Sequence, residues 1–121
     1  MKRIMQTKLY NKQRNERGDC LRASLASLLD LEITDFEHST YMNDYVEKLP
    51  ALGFSYEGHV KTLEELAECT GVDGNFVAHG MSSRGVGHAI VVDVLGRLMH
   101  DPHPSGEGID KIKGYYLIER I

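Results

Sequence analysis

The hydrophobic period of this chain changes once, near Gly74, and that change limits the folds open to it. Before Gly74 the apolar residues recur at helical spacing. Leu21, Leu25, Leu28 and Leu29 follow i, i+4, i+7 and i+8, which predicts an amphipathic helix beginning after Asp19, a residue suited to the N-cap. "TYMNDYVEKLPALGF" predicts a second short helix ending near Leu49, because the residue before Pro50 is pushed out of the helical region. "TLEELAECTG" predicts a third, with Thr62 and Glu65 spaced as a capping box and Gly71 suited to the C-cap. After Gly74 the pattern is that of strands: "NFVAHG", "GHAIVVDV", "RLMHD" and a terminal "GYYLIERI". Leu95 and Gly96 are expected to form a two-residue turn between the middle two. Ahead of the first helix, "IMQTKLY" reads as a brief strand or arm, followed by an irregular loop that Gly18 ends. Helices first and strands afterwards, in one chain of 121 residues, predict a single α+β domain over residues 1–121 with a small antiparallel sheet.

The charge balance narrows the partners. Fourteen Lys and Arg against eighteen Asp and Glu give a formal charge of −4, which argues against a binder of phosphate backbones, so no nucleic-acid partner is expected. The amino-terminal cations, Lys2, Arg3, Lys8, Lys12, Arg14 and Arg17, are interleaved with polar residues, and no apolar run of signal-peptide length follows them. A cytoplasmic location is therefore expected. Neither apolar stretch approaches the ~20 residues that span a bilayer, so no membrane partner is expected either. Cys20 and Cys69 are read as free thiols, since a core of this size does not need a disulfide.

Cys20 is the reactive side chain with the most telling position. It opens the first helix, off the leucine stripe and on a flank shared with Ser24 and Ser27; Ala23 and Ala26 keep that flank narrow enough for another backbone to approach. A thiol becomes a good nucleophile where a helix N-terminus and a neighbouring imidazolium favour the thiolate. The strand pattern supplies the imidazole. With a Leu95–Gly96 turn, residue 88 falls opposite 103, and Asp101 lies on the face of His88, one diagonal neighbour away. A three-residue turn would instead put the two side chains on opposite faces. A carboxylate held to one ring nitrogen turns the other toward the thiol, which is the logic of a Cys-His-Asp triad.

"GDCLRASLASLLDL", "MSSRGVGHAIVV" and "HDPHPSGEG", in this order, resemble a family of small papain-like cysteine hydrolases of phage and bacterial genomes, related to the C39-type peptidases. The resemblance covers nearly the whole chain. It implies a papain-like cysteine-hydrolase fold, in which the helix carrying the cysteine packs on an antiparallel sheet that supplies histidine and aspartate. It also implies Cys20 as nucleophile, His88 as general base and Asp101 as orienter, with no cofactor, a protein or peptide substrate and, for a phage-encoded member, the host cytoplasm. Papain-like enzymes add a glutamine whose side-chain amide helps to bind the oxyanion. Gln6, in "MQTKLY", is the preferred candidate and Gln13 the alternative; with Gln6, "NKQRNER" becomes an enlarged loop.

Other residues have plainer readings. Cys69 lies beside the apolar Leu63, Leu66 and Ala67 within the third predicted helix and is read as a packing residue. Ser83 and Arg84 are the candidate substrate contacts, Arg84 for a carboxylate or phosphate, though "MSSRG" also fits a simple turn. Asp101, which precedes Pro102, also suits an Asx-type turn. His38, His59 and His79 show no partner in the sequence. His88, Asp101 and His103 form a rival set that could ligate zinc with an open position, a zinc-hydrolase alternative that leaves Cys20 unused, with His100 pointing away by strand alternation. The reading adopted is a cysteine hydrolase cleaving an amide, isopeptide or thioester bond, most simply a peptidase; the same residues would serve deamidation or acyl transfer. The alternative from another class is a non-catalytic binding module on the same fold.

Overall fold

A computed structural model describes residues 1–14 and 17–121 of the chain. It is an α+β domain built on one five-stranded antiparallel sheet. The strands are β1 (Phe54–Val60), β2 (Asn75–Met81), β3 (Gly87–Asp93), β4 (Leu98–His100) and β5 (Lys111–Arg120), in the order β1-β5-β2-β3-β4. The helices are α1 (Cys20–Leu29), α2 (Met42–Val46) and α3 (Leu63–Leu66), with 3-10 turns at Ile33–Asp35 and Pro50–Leu52.

The alternation of β2 and β3 divides the core between the two faces of the sheet. Val77, Ala89, Val91 and Ile118 pack with Leu25, Leu28 and Leu29 of α1 and with Phe36, Tyr45 and Leu49. Phe76, Ala78, Ile90, Val92 and Tyr115 form a second cluster with Leu66 of α3. The leucine stripe thus anchors α1 on one face. Its serine flank meets β3, where the Ser24 hydroxyl, fully buried, donates to the Ala89 carbonyl at 3.1 Å. Asp30, in the left-handed region at φ 55, ends the helix.

Four sequence expectations need correction. Asp19 occupies the N-cap position of α1 but does not cap it; its buried carboxylate accepts from the Thr7 and Lys8 amides, both at 2.8 Å, and from the Thr7 hydroxyl. The second helix stops at Val46, and a turn and the 3-10 segment carry the chain past Pro50. The third is one turn long, so Cys69 lies beyond it; Gly71 is needed for another reason, since a Cβ there would collide with the Asn75 carbonyl. Beside these, β1 is an edge strand next to β5 that no expectation covered.

The fourth correction concerns the β3–β4 hairpin, and it decides the site. The Asp93 amide donates to Arg97 O at 3.0 Å and the Gly96 amide to Asp93 O at 2.9 Å, so the turn holds three residues, not two. That alone would place His88 and Asp101 on opposite faces. The ladder, however, slips by one residue at Met99: Val92 pairs with Leu98, but Val91 pairs with His100. The bulge restores the register that a two-residue turn would have set.

Candidate active site

The triad candidates come from three separate elements. Cys20 is the first residue of α1, His88 the second of β3, and Asp101 the residue that leaves β4. His88 Nε2 and Asp101 Oδ1 are 2.6 Å apart, and both side chains are almost wholly buried, 3% and 2% exposed. Asp101 is held in turn by the amides of His103, at 2.9 Å, and Gly108, at 2.8 Å. It therefore serves as Asx-turn former and imidazole partner at once.

This arrangement polarises the pair. Burial works against the charged ring of His88, but the hydrogen bond to Asp101 and the proximity of Cys20 overcome it and raise the pKa to about 9. Burial likewise opposes the Asp101 carboxylate, and the His88 bond with the two amides brings its pKa down to about 2. At neutral pH the pair is imidazolium and carboxylate. With Nε2 committed to Asp101, Nδ1 is the ring nitrogen left for the thiol of half-buried Cys20. The thiol stands near enough to His88 to help raise the pKa of the ring.

Cys20 and His88 line one cleft of about 890 Å³. Gln6 lines it too, carried there by the amino-terminal arm: its amide donates to the Pro102 carbonyl at 3.0 Å, and Ile4 is held by Ser27 on one side and His100 on the other. The Gln6 side chain donates from Nε2 to the Lys8 carbonyl at 2.7 Å, and Gly18 leaves it room. Gln6 Oε1 is the only buried side-chain polar atom without a partner among the described residues. Gln13 is exposed and outside the cleft lining. Residues 15 and 16 of the "NKQRNER" loop lie outside the described residues.

Arg84 lines the cleft, and its Nη1 reaches Ser105 Oγ at 3.1 Å and Glu107 Oε2 at 4.0 Å. Ser83 does not line it; its hydroxyl donates to Glu107 Oε2 at 2.6 Å. His103 lines the cleft with its Nδ1 on Ser105 Oγ at 2.9 Å, and His88 and Asp101 are spent on each other. No group of three or more His, Cys, Asp or Glu among the described residues is arranged to hold a metal ion. No helix of the described residues is long and apolar enough to cross a membrane.

The lining also includes His79, Lys113 and Tyr116, which no sequence signal singles out. The histidines read as partnerless all have partners. His38 Nε2 lies 3.2 Å from the Gly18 carbonyl, and His59 and His79 bring their Nε2 atoms to 2.7 Å. The last two sit on β1 and β2, on either side of β5, and meet because Gly114 between them carries no Cβ; His79 also stacks on Tyr116. Only the spacing of two histidines twenty residues apart signalled this in the sequence, and spacing alone does not pair strands.

Comparison with protein families, with curated proteins and with solved structures returned no match.

Proposed function

We propose that the protein is a papain-like cysteine hydrolase that cleaves an amide, isopeptide or thioester bond in a peptide or protein substrate. The observation that carries this reading is that Cys20 and His88 line one cleft, with Asp101 fixing the His88 ring through the 2.6 Å contact. The Cys20 sulfur attacks the acyl carbon at the N-terminal end of α1, where unpaired backbone N–H groups favour a nearby negative charge. The Cys20 amide and the Gln6 side-chain amide stabilise the oxyanion. His88 then gives its proton to the leaving amine, alcohol or thiol, and the acyl-enzyme forms. Water, deprotonated by His88, hydrolyses the acyl-enzyme and returns the thiol. Asp101 keeps the ring oriented and supports its charge throughout. The chemistry needs no cofactor.

The test is alkylation by iodoacetamide near neutral pH, read by peptide mapping. Cys20 is expected to react at least tenfold faster than Cys69, and His88→Ala to abolish the difference. Equal labelling of the two thiols would sink the reading.

A further inference from the structure

The chain is acidic as a whole, yet among the described residues every Lys, Arg, Asp or Glu that lines the cleft is a cation: Arg17, Arg84 and Lys113. No Asp or Glu lines it among the described residues. Eighteen carboxylates against fourteen cations make that segregation contrary to composition. The buried acids nearby are committed, Asp101 to His88 and two backbone amides and Asp19 to Thr7 and the Lys8 amide; among the described residues Glu107 is the one carboxylate reaching a lining cation, and it stands at the limit of ion-pair distance from Arg84.

A backbone irregularity stands behind one of these cations. In the β2–β5 ladder His79 pairs with Gly114 but Gly80 pairs with Ile112, so Lys113 is the extra residue of a bulge. A bulge re-aims its side chain away from regular alternation. The fold accommodates it with Gly80, where a Cβ would collide with the Lys111 carbonyl and crowd Ile112 Cα at 2.8 Å. Lys113 is exposed and lowers the pKa of neighbouring His79, after the larger effect of burial and that of His59; Arg84 does the same to His103, again after burial. Lys113 and Arg84 therefore enter the cleft of His88 from different elements, Lys113 beside His79 and Arg84 beside His103. Arg84 belongs to the β2–β3 turn that precedes His88, and Lys113 to the strand beyond β2.

We infer that Lys113 and Arg84 are specificity-determining residues that select an acidic peptide, binding carboxylates on the substrate close to the bond that Cys20 attacks. The inference rests on the hydrolase reading and names its substrate class. Cations that share a cleft with low-dielectric walls focus the field and concentrate anions at the reacting atom. Salt weakens that effect, with a screening length of about 8 Å at physiological ionic strength.

The experiment compares two alkylating agents of nearly equal size, neutral iodoacetamide and anionic iodoacetate, at Cys20, with Cys69 as internal reference. The iodoacetate to iodoacetamide rate ratio is expected to be at least threefold higher at Cys20 than at Cys69. It should fall to the Cys69 value in the Arg84→Gln/Lys113→Gln double variant or at about 1 M salt, where the screening length drops to about 3 Å. Hexaglutamate should slow iodoacetamide at Cys20, whereas hexalysine and inorganic phosphate should not. A ratio equal at the two cysteines, or unchanged in the double variant, overturns the anion selectivity while fast alkylation of Cys20 still supports the triad. Protection by phosphate equal to that by hexaglutamate overturns the acidic-peptide assignment. Cys20 reacting no faster than Cys69 with either reagent overturns the hydrolase reading and this inference with it.

Discussion

Asp101 carries more obligations than any other single residue of the site. Its two oxygens accept from the His88 ring and from the amides of His103 and Gly108, so one carboxylate closes the turn and holds the imidazole. Asparagine keeps the shape but offers one acceptor oxygen, which leaves at least one of those donors unmatched. Asp101→Asn is therefore expected to cost about 1–3 kcal/mol of stability, read from the urea midpoint, and to lower the His88 pKa from about 9 toward 6.5, read from the ring-proton titration by NMR. A His88 that still titrates near 9 would show that Asp101 does not set its charge. Gln6 has a narrower duty. Gln6→Ala is expected to slow acylation by p-nitrophenyl acetate about 10²-fold through loss of one oxyanion donor, with little change in alkylation of Cys20, a reaction that develops no oxyanion. Parallel losses in both assays would mark Gln6 as a residue that merely positions Cys20. The meeting of His88 with Asp101 was legible in the sequence because both sit on adjoining strands of one hairpin. Lys113 and His79 were not, because a bulge and a contact across an intervening strand leave no local signature.

Among the elements, the contact of α1 with β3 brings Cys20 to the strand that carries His88. Ser24 is fully buried there, with its hydroxyl on Ala89 O, one residue from His88. Ser24→Val removes that bond and adds volume where the helix and strand are closest, at a cost of about 1–3 kcal/mol. The thiol is expected to draw away from the ring, so that the alkylation advantage of Cys20 over Cys69 falls, while His88, held from the β4 side by Asp101, keeps a raised pKa by NMR. An unchanged alkylation advantage would show that the helix position is set elsewhere. The hairpin shows both the reach and the limit of sequence reasoning about elements. The His88–Asp101 register was reached from a two-residue turn, whereas the chain combines a three-residue turn, capped by the Asp93 side chain, with a compensating bulge at Met99. Alternation identified β2, β3 and β5 because their apolar residues pack on both faces of the sheet. It missed β1, where Gly58 at φ 133 and a slip between Tyr56 and Gly58 interrupt the pattern of an edge strand. The third helix extends too far in the sequence because Gly71 reads as its C-cap, whereas the glycine is required by close approach of the Asn75 carbonyl.

At the scale of the whole molecule, the site contributes to the stability of the fold that bears it. Each shifted group links folding to pH with a definite sign. Asp101, brought down from 3.8 to about 2, adds stability that is complete above 3.8 and lost as pH falls through 2. His88, raised from 6.5 to about 9, adds stability that is complete below 6.5 and lost as pH rises through 9. Both contributions are present together between about pH 4 and 6.5. His79 and His103 work in the opposite sense, since burial lowers their pKa values and their protonation below 6.5 opposes folding. Comparison with a variant that lacks only the carboxylate separates the two effects. The difference in Tm between the wild-type chain and Asp101→Asn is expected to be largest from about pH 4 to 6.5, to shrink as the pH rises through 9, and to shrink again as it falls through 2. Calorimetry across that range reads it directly. A difference that stays constant from pH 6.5 to 9.5 would mean that folded His88 holds its proton equally well with and without the carboxylate, leaving Asp101 as a turn former without an imidazolium partner.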